Sequence, residues 1–345
     1  MVMKAMVIQN VCRIEENVKP LKMVDFKTPI PKAEEVLIKV KTCGVCHTEL
    51  DEIEGRVLPA FFPIIPGHQV VGEVIGLGQD VKHFEIGDRV GVAWILDACG
   101  VCEYCQAGEE NLCQQFRATG RDWHGGYAEF MTASEKFSYK IPQAFSDLEA
   151  APLLCAGAIG YRALRLSEIS DGQYLGLTGF GASGHLVMKM ISHKYPNTKV
   201  FVFARNAKER SFAKKLGAAW SGDTTERPPL LLDAIIDTTP VWRPVLEGLA
   251  CLKPGGRLVI NAIRKEKIDQ KVLLELDYGK HLWMEKEIKS VANITRRDVQ
   301  EFLSMAAQIP IKPHIQVYAF QHANQALVDL KLGNIQGAKV LRITS

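Results

Sequence analysis

The segment CGVCEYCQAGEENLC, Cys99 to Cys113, carries four cysteines at C-x2-C-x2-C-x7-C spacing. Cysteines this close along the chain can converge tetrahedrally on one ion, and four thiolates suit zinc or an iron–sulfur cluster. A redox disulfide would use only two of them. Four sulfurs also close the coordination sphere, so the cluster reads as a structural zinc site with the chemistry elsewhere. Five further cysteines are Cys12, Cys43, Cys46, Cys155 and Cys251. Cys46 lies in TCGVCHTELDEIEG, Cys155 in APLLCAGAIGY, and a histidine, His68, in IIPGHQVVGEV. Two thiolates and an imidazole on zinc would leave a fourth position open for water or substrate, the catalytic pattern. Residues so distant meet only through the fold, and Cys155 taken singly also suits a small core side chain.

A second constellation is GFGASG, which sets Gly179, Gly181 and Gly184 in the G-x-G-x-x-G pattern. It follows an apolar strand, YLGLT, and opens a helix, the context a dinucleotide fingerprint requires. The first glycine permits the tight turn, and the second lets backbone amides approach a pyrophosphate at the positive helix end. Sites that select NAD usually end the next strand with Asp or Glu. Here KVFVFARNAKER places Ala204 and Arg205 at that strand end, with Lys208 and Arg210 following. A carboxylate would repel a 2′-phosphate, whereas a guanidinium binds it bidentately. NADP(H) is therefore expected over NAD(H), against the alternative of a solvated basic helix start.

These groups must be positioned by a chain of 345 residues, long for one core, with 47% apolar residues and a net charge of +3. That describes a globular protein of two domains. Lys/Arg blocks are missing, which argues against nucleic acid, and no apolar run approaches the length of a membrane span. The start, MVMKAMVIQN, lacks the apolar stretch of a signal peptide and reads as a first strand. Clustered cysteines in a chain of this size point to metal in a reducing, cytoplasmic setting. EEVLIKVKTCGV, VVGEVIGLG and DRVGVAWI are short β-branched runs, so residues 1 to about 150 read as β-rich. EAAPLLCAGAIGYRALRL reads as a helix capped around Ser146 and Asp147. Strand–helix alternation follows: YLGLTGF, SGHLVMKMISHKY, KVFVFAR, KERSFAKKLGA to Gly217, then the strands LLDAIIDT, GRLVIN and EIKSVAN. Such alternation builds a parallel sheet. The tail reads as helix RRDVQEFLSMAAQ, strand VYAF, helix QHANQALVDLKLGN and strand GAKVLRI.

Taken together, GVCHTEL, PGHQVVGEV, the four-cysteine segment, DWHGGYAE, LLCAGAIGY and GFGASG resemble the zinc-dependent medium-chain alcohol dehydrogenases, in family order over essentially the whole chain. The resemblance implies an α/β protein: a GroES-like β-rich catalytic domain, 1–152 with 293–345, around a Rossmann cofactor domain, 153–292. It implies a catalytic zinc on Cys46, His68 and Cys155. A structural zinc on Cys99, Cys102, Cys105 and Cys113 would sit in a lobe at about 95–115. A zinc with an open position acts as a Lewis acid, easing proton loss from an alcohol and polarising a carbonyl in reverse. Thr48 matches the hydroxyl that relays the alcohol proton, and His47 a position that contacts cofactor phosphate. Relatives of this kind form homodimers or homotetramers, and a homotetramer is the expectation.

Two positions depart from the family pattern. Many relatives have a histidine three residues after the relay hydroxyl, where this chain has Asp51; a carboxylate there can take over as proton acceptor. Relatives also commonly carry Glu directly after the zinc-binding histidine, whereas Gln69 hydrogen-bonds without charge. On that reading the surroundings of the metal lose an anion. Trp94 falls near the family's pocket-lining segment and Trp123 in the next loop. Both would narrow a pocket toward apolar or aromatic alcohols and aldehydes, although each also suits plain packing. The rival enzyme class is a reductase or dehydrogenase of the same fold acting on polyols, sugars or enoyl compounds. A zinc-ribbon nucleic-acid binder is disfavoured by Glu103, Glu109 and Glu110 within the cysteine segment.

Overall fold

A computed structural model describes residues 1–345 apart from Pro310, 334–336 and Ser345. The chain forms two compact units, Met1–Cys155 with Asn293–Ser345, and Ala156–Ala292. Among the described residues no helix is long and apolar enough to cross a membrane.

The first unit is β-rich. Strands β1 (Val2–Ile8) and β2 (Leu21–Lys27) form an antiparallel pair. After them come β3 (Glu35–Val45), helix α1 (His47–Ile53), β4 (Val70–Leu77), β5 (Arg89–Val92) and β6 (Ile95–Asp97). A short helix α2 (Glu103–Gln106), β7 (Arg117–Ala118), β8 (Phe130–Ser134), β9 (Ser138–Lys140) and helix α3 (Asp147–Pro152) complete its N-terminal part. In β3 the alternate residues Val36, Ile38 and Val40 are fully buried, the period of a strand with one face on the core. Register shifts at Leu37/Ile38 and Val40/Thr42 bend this long strand. It pairs with β4 and, along its length, with β8 and the chain's last strand.

The second unit opens with α4 (Ala158–Leu166), then alternates β10 (Tyr174–Thr178), α5 (Ala182–Lys194), β11 (Lys199–Phe203), α6 (Ala207–Lys215) and β12 (Trp220–Gly222). It continues through β13 (Leu232–Asp237), α7 (Arg243–Cys251), β14 (Leu252–Ile260), α8 (Tyr278–His281) and β15 (Glu287–Ser290). The sheet order is β12-β11-β10-β13-β14-β15 and every pairing is parallel. This is the doubly wound Rossmann order, reversing between β10 and β13. Leu175, Leu177, Val202, Ile235, Ile236, Leu258 and Val259 are fully buried, as strands covered on both faces demand. Sequence reading missed α7, because Pro244 and Gly248 mask its apolar periodicity.

The chain then returns to the first unit through α9 (Arg296–Gln308), β16 (Ile315–Ala319), α10 (Ala323–Lys331) and β17 (Ala338–Arg342). β17 pairs antiparallel with the end of β3, so the C-terminal segment adds β17 and β16 to the sheet whose strand β3 leads into Cys46. The helix read through Asn334 is observed to Lys331; Asn334 itself lies outside the described residues. The expected single helix around Cys155 is instead broken into three. Ser146 caps α3, a π-helical turn spans Leu153–Gly157, and α4 follows. Pro152 has no N–H to offer an α-helical ladder at the point where the turn widens.

Candidate metal and dinucleotide sites

Strand pairing brings the scattered metal-ligand candidates together. Cys43 in β3 lies opposite Val70 in β4. Cys46, just past the end of β3, and His68, just before the start of β4, therefore occupy adjacent strand ends. Cys155 arrives on the π-helical turn, and α3 before it is anchored to β3 where the Thr42 hydroxyl donates to the Asp147 carbonyl at 3.0 Å. The Sγ atoms of Cys46 and Cys155 are 4.0 Å apart, and His68 Nε2 is 3.3 Å from Cys155 Sγ. The donor atoms of all three lie within 4.8 Å of one another. Two sulfurs and one imidazole nitrogen, converging with His68 buried, fit a zinc ion with a fourth position left over.

The surrounding charges prepare that donor set. Hydrogen bonding from the Cys155 thiol, with His68 beside it, holds Cys46 well below the usual thiol range. Cys155 is correspondingly pushed up, by the same bond and by burial. Burial disfavours the charged imidazole of His68, but the neighbouring Glu49 carboxylate and Cys46 hold its pKa well above normal. Glu49 Oε1 approaches His68 Nδ1 to 2.7 Å. A carboxylate on the far nitrogen fixes the ring and raises ligand basicity.

Sequence reading passed over Glu49, and its signal was local. Glu49 stands three residues after Cys46 at the start of a helix, and it completes a capping box in which the cysteine side chain plays the serine role. Gln69 supplies no charge, and the anion beside the metal-ligand histidine comes from position 49. Gln69 is buried against Gly44, where its Oε1 lies only 2.5 Å from the place a Cβ would take. Glu52, one turn beyond Glu49 in α1, is also fully buried, and burial together with the charge of Glu49 pushes its carboxyl well up.

Thr48 is buried with its hydroxyl 3.5 Å from Cys46 Sγ, while His47 is exposed at the start of α1. Asp51 is buried and its Oδ1 accepts from Arg56 Nε at 2.5 Å. Trp94 packs against Phe116 at 5.5 Å and under the Arg121 guanidinium at 5.2 Å. Trp123 is exposed, with Phe61 and His124 as ring neighbours and Lys32 over its face.

Cys99, Cys102, Cys105 and Cys113 form the other converging group, again within 4.8 Å. Backbone N–H groups of Cys102 and Gln115 donate to the sulfurs of Cys99 and Cys113 at 3.4 and 3.3 Å. The lobe is tied down where buried Glu110 accepts from Arg296 Nε at 2.6 Å. Four thiols with backbone donors aimed at sulfur fit a closed zinc site.

In the parallel-sheet unit, Gly179 has φ +79°, a conformation that favours glycine. A Cβ on Gly184 would lie 2.9 Å from the Gly179 carbonyl oxygen, whereas one on Gly181 would meet, among the described residues beyond its chain neighbours, no atom within 4 Å. Among the described residues no side chain caps the α5 N-terminus. The turn therefore leaves an open approach to the first N–H groups of α5, which fits an anion such as a pyrophosphate. Ala204 is buried directly after β11. Arg205 is exposed, but Arg210 Nη1 donates to the carbonyls of Ala204 and Arg205 at 2.7 and 2.9 Å and faces Asp223. Arg210 thus stiffens the strand end rather than standing free for a phosphate.

Known proteins agree with this architecture. Residues 32–143 match the alcohol dehydrogenase GroES-like domain. The chain is 44% identical over 329 residues to the probable alcohol dehydrogenase AdhA of Mycobacterium tuberculosis, covering 94% of this chain and 93% of that protein. An alcohol dehydrogenase of Geobacillus stearothermophilus is 31% identical over 342 residues, with 96% and 98% covered. Among solved structures, a thermostable alcohol dehydrogenase from Pyrobaculum aerophilum, bound to cobalt and zinc, is similar. Its TM-score is 0.85 and its identity 25%, covering 99% of this chain and 100% of that one. With these relatives matched along nearly its full length, the chain belongs to the zinc-dependent medium-chain alcohol dehydrogenase family.

Proposed function

We propose that the protein interconverts a primary or secondary alcohol and its aldehyde or ketone, using zinc and NADP(H) in preference to NAD(H). The observation that carries this reading is the convergence of Cys46, His68 and Cys155 donor atoms within 4.8 Å. Zinc bound there would supply Lewis acidity toward the substrate oxygen. Cys46 and Cys155 provide the thiolates, His68 the imidazole, and Glu49 holds that imidazole in place. The Thr48 hydroxyl accepts the alcohol proton and passes it on. Asp51, held by Arg56, is the next acceptor toward solvent. Trp94 and Trp123 are proposed as apolar walls, which favours alcohols with apolar or aromatic substituents.

In the parallel-sheet unit the Gly179–Gly184 turn and the α5 N-terminus receive the pyrophosphate, and Arg205 the 2′-phosphate. Cys99, Cys102, Cys105 and Cys113 hold a second, structural zinc. Metal sites built of free thiolates need reduced cysteines, and on that ground the protein is placed in the cytoplasm. Association of copies is proposed through the nucleotide unit. Its edge strand β15 is exposed along its whole length, Ile288 included, with Trp283 and Tyr278 exposed nearby. An unpaired, partly apolar edge is usually covered.

The test is metal analysis combined with a panel of alcohols, aldehydes, polyols and enoyl compounds, run with each coenzyme. Two zinc ions per chain, one for each cluster, and oxidation of a simple alcohol with NADP⁺ are expected. A folded chain that takes up no metal at the Cys46 cluster, or that turns over only enoyl compounds, overturns the reading.

A further inference from the structure

Asp237, the last residue of β13, is fully buried and pairs with the ammonium of Lys265, whose side chain is 8% exposed. The same carboxylate accepts the Thr178 hydroxyl from the end of β10. It also accepts the backbone N–H and the hydroxyl of Thr239, at 3.2 and 2.8 Å. Lys265 Nζ donates further to the carbonyls of Thr239 and Val241, at 2.8 and 2.9 Å. Three N–H donors thus meet three acceptors, and the ammonium keeps no donor for a cofactor phosphate. Such a pair is costly to desolvate, and well-packed apolar residues often stabilise a fold as well or better. Its use here is better sought in what it holds still.

It holds the loops that leave two neighbouring strands. Thr238 donates its N–H and its hydroxyl to the Thr178 carbonyl, at 2.9 and 3.0 Å. That hydroxyl sits 2.7 Å from where a Cβ on Gly179 would be, so it packs on the first glycine of the nucleotide turn. Glu266 N–H donates to the Pro240 carbonyl at 2.7 Å, and the N–H groups of Trp242 and Arg243 reach the Asp269 carboxylate at 2.8 Å. Register places Thr178, Asp237 and Ile260 side by side, so these loops share the C-terminal edge of the sheet. They lie on the β13–β14 side of the switch point, where a doubly wound sheet receives the second mononucleotide half of its ligand.

We propose that the Asp237–Lys265 pair positions the nicotinamide half of the cofactor by locking Thr238–Val241 against the Gly179 turn. This rests on the dinucleotide reading made above. Asp237 and Lys265 are positioning residues; neither is assigned a contact with the cofactor.

The test uses the full chain as wild type, Lys265→Met and the double variant Asp237→Asn/Lys265→Met, which leaves no unpaired buried ion. Isothermal titration measures binding of NADP⁺ or NAD⁺, whichever the wild type takes. It also measures the matching adenine half, adenosine 2′,5′-bisphosphate or AMP. The double variant is expected to weaken the whole dinucleotide about tenfold or more while the adenine half stays within about twofold. Equal weakening of both ligands, no weakening of either, or a double variant that does not fold assigns the pair to the fold alone and overturns the proposal. A wild type that binds neither dinucleotide overturns the dinucleotide reading and this proposal with it.

Discussion

Glu49 reaches two ligand-bearing residues with one carboxylate: its Oε1 stands 2.7 Å from Nδ1 of His68, and its Oε2 accepts the Cys46 N–H at 2.7 Å. Both Glu49 and His68 are sealed from solvent. The cap that starts α1 and the brace behind the imidazole are therefore the same group. His68 is held with Nε2 facing Cys155, and Cys46 is held at the end of β3.

Glu49→Gln keeps the size of the side chain and removes its charge. Zinc affinity at the Cys46 cluster is expected to fall about 10- to 100-fold, the usual effect of losing a partner behind a metal-ligand histidine. Chelator competition reads this directly, and the four-cysteine cluster serves as an internal control. Unchanged affinity would leave Glu49 with the helix cap alone.

In the proposed reading coenzyme choice rests on Arg205, since Arg210 is occupied with the carbonyls of Ala204 and Arg205. Arg205→Asp is expected to raise the KM for NADP⁺ by about 10- to 100-fold, the range of a charge-assisted hydrogen bond, and to improve that for NAD⁺. Arg210→Met should weaken both coenzymes by loosening the strand end, without reversing the preference. Coenzyme selectivity unaltered in Arg205→Asp refutes the assignment.

Features written in consecutive residues were legible before any fold was known. The four-cysteine spacing and Gly179, Gly181 and Gly184 are local, and their chemistry needs only a turn and a helix. The helix-capping role of Glu49 could be read three residues after Cys46, but its pairing with His68 could not, because the two meet only through the β3–β4 register. The same holds for Asp237 and Lys265, 28 residues apart and joined only where adjacent parallel strands end. The break at Pro152 could be read as a proline in a helix, but its replacement by a π-turn that presents Cys155 follows from packing. The strand β2, LKMVDFK, went unrecognised because its outward positions are charged and its run is short.

Asp51 sits one turn beyond Thr48, with its carboxylate held by Arg56 Nε at 2.5 Å. Asp51→Ala is expected to slow alcohol oxidation at low pH, with the rate recovered by a diffusible base such as imidazole. Arg56 retains Glu54 as a partner, so the fold should persist. A loss that imidazole does not recover, accompanied by a lower Tm, would reduce Asp51 to the partner of Arg56.

Within the four-cysteine lobe, backbone N–H groups of Val101 and Cys102 pull the Cys99 thiol down to about 6, while burial pushes Cys105 up to about 12. A thiol lowered in this way is ionised at neutral pH and takes up its proton as the pH falls through about 6. Zinc uptake at this cluster displaces protons from its thiols, Cys105 above all, so it is expected to weaken as the pH falls. Cys102→Ser should remove one zinc per chain and lower the Tm, leaving the Cys46 cluster loaded. Parallel loss of both metals would mean that the lobe and the rest of its unit unfold together.

Gly184 and Gly181 separate packing from ligand access within one turn. A Cβ on Gly184 would press on the Gly179 carbonyl at 2.9 Å, and neither backbone can retreat without moving α5 against β10. Gly184→Ala should therefore lower the Tm and weaken dinucleotide binding together. A Cβ on Gly181 meets no atom of the described residues beyond its chain neighbours within 4 Å, so Gly181→Ala should leave the Tm unchanged. It should still weaken NADP⁺ binding, because the methyl group occupies the approach to the α5 N-terminus. Thermal unfolding with and without NADP⁺ resolves the two effects. Gly181→Ala that binds NADP⁺ as tightly as the wild type would show that the pyrophosphate does not rest on this turn.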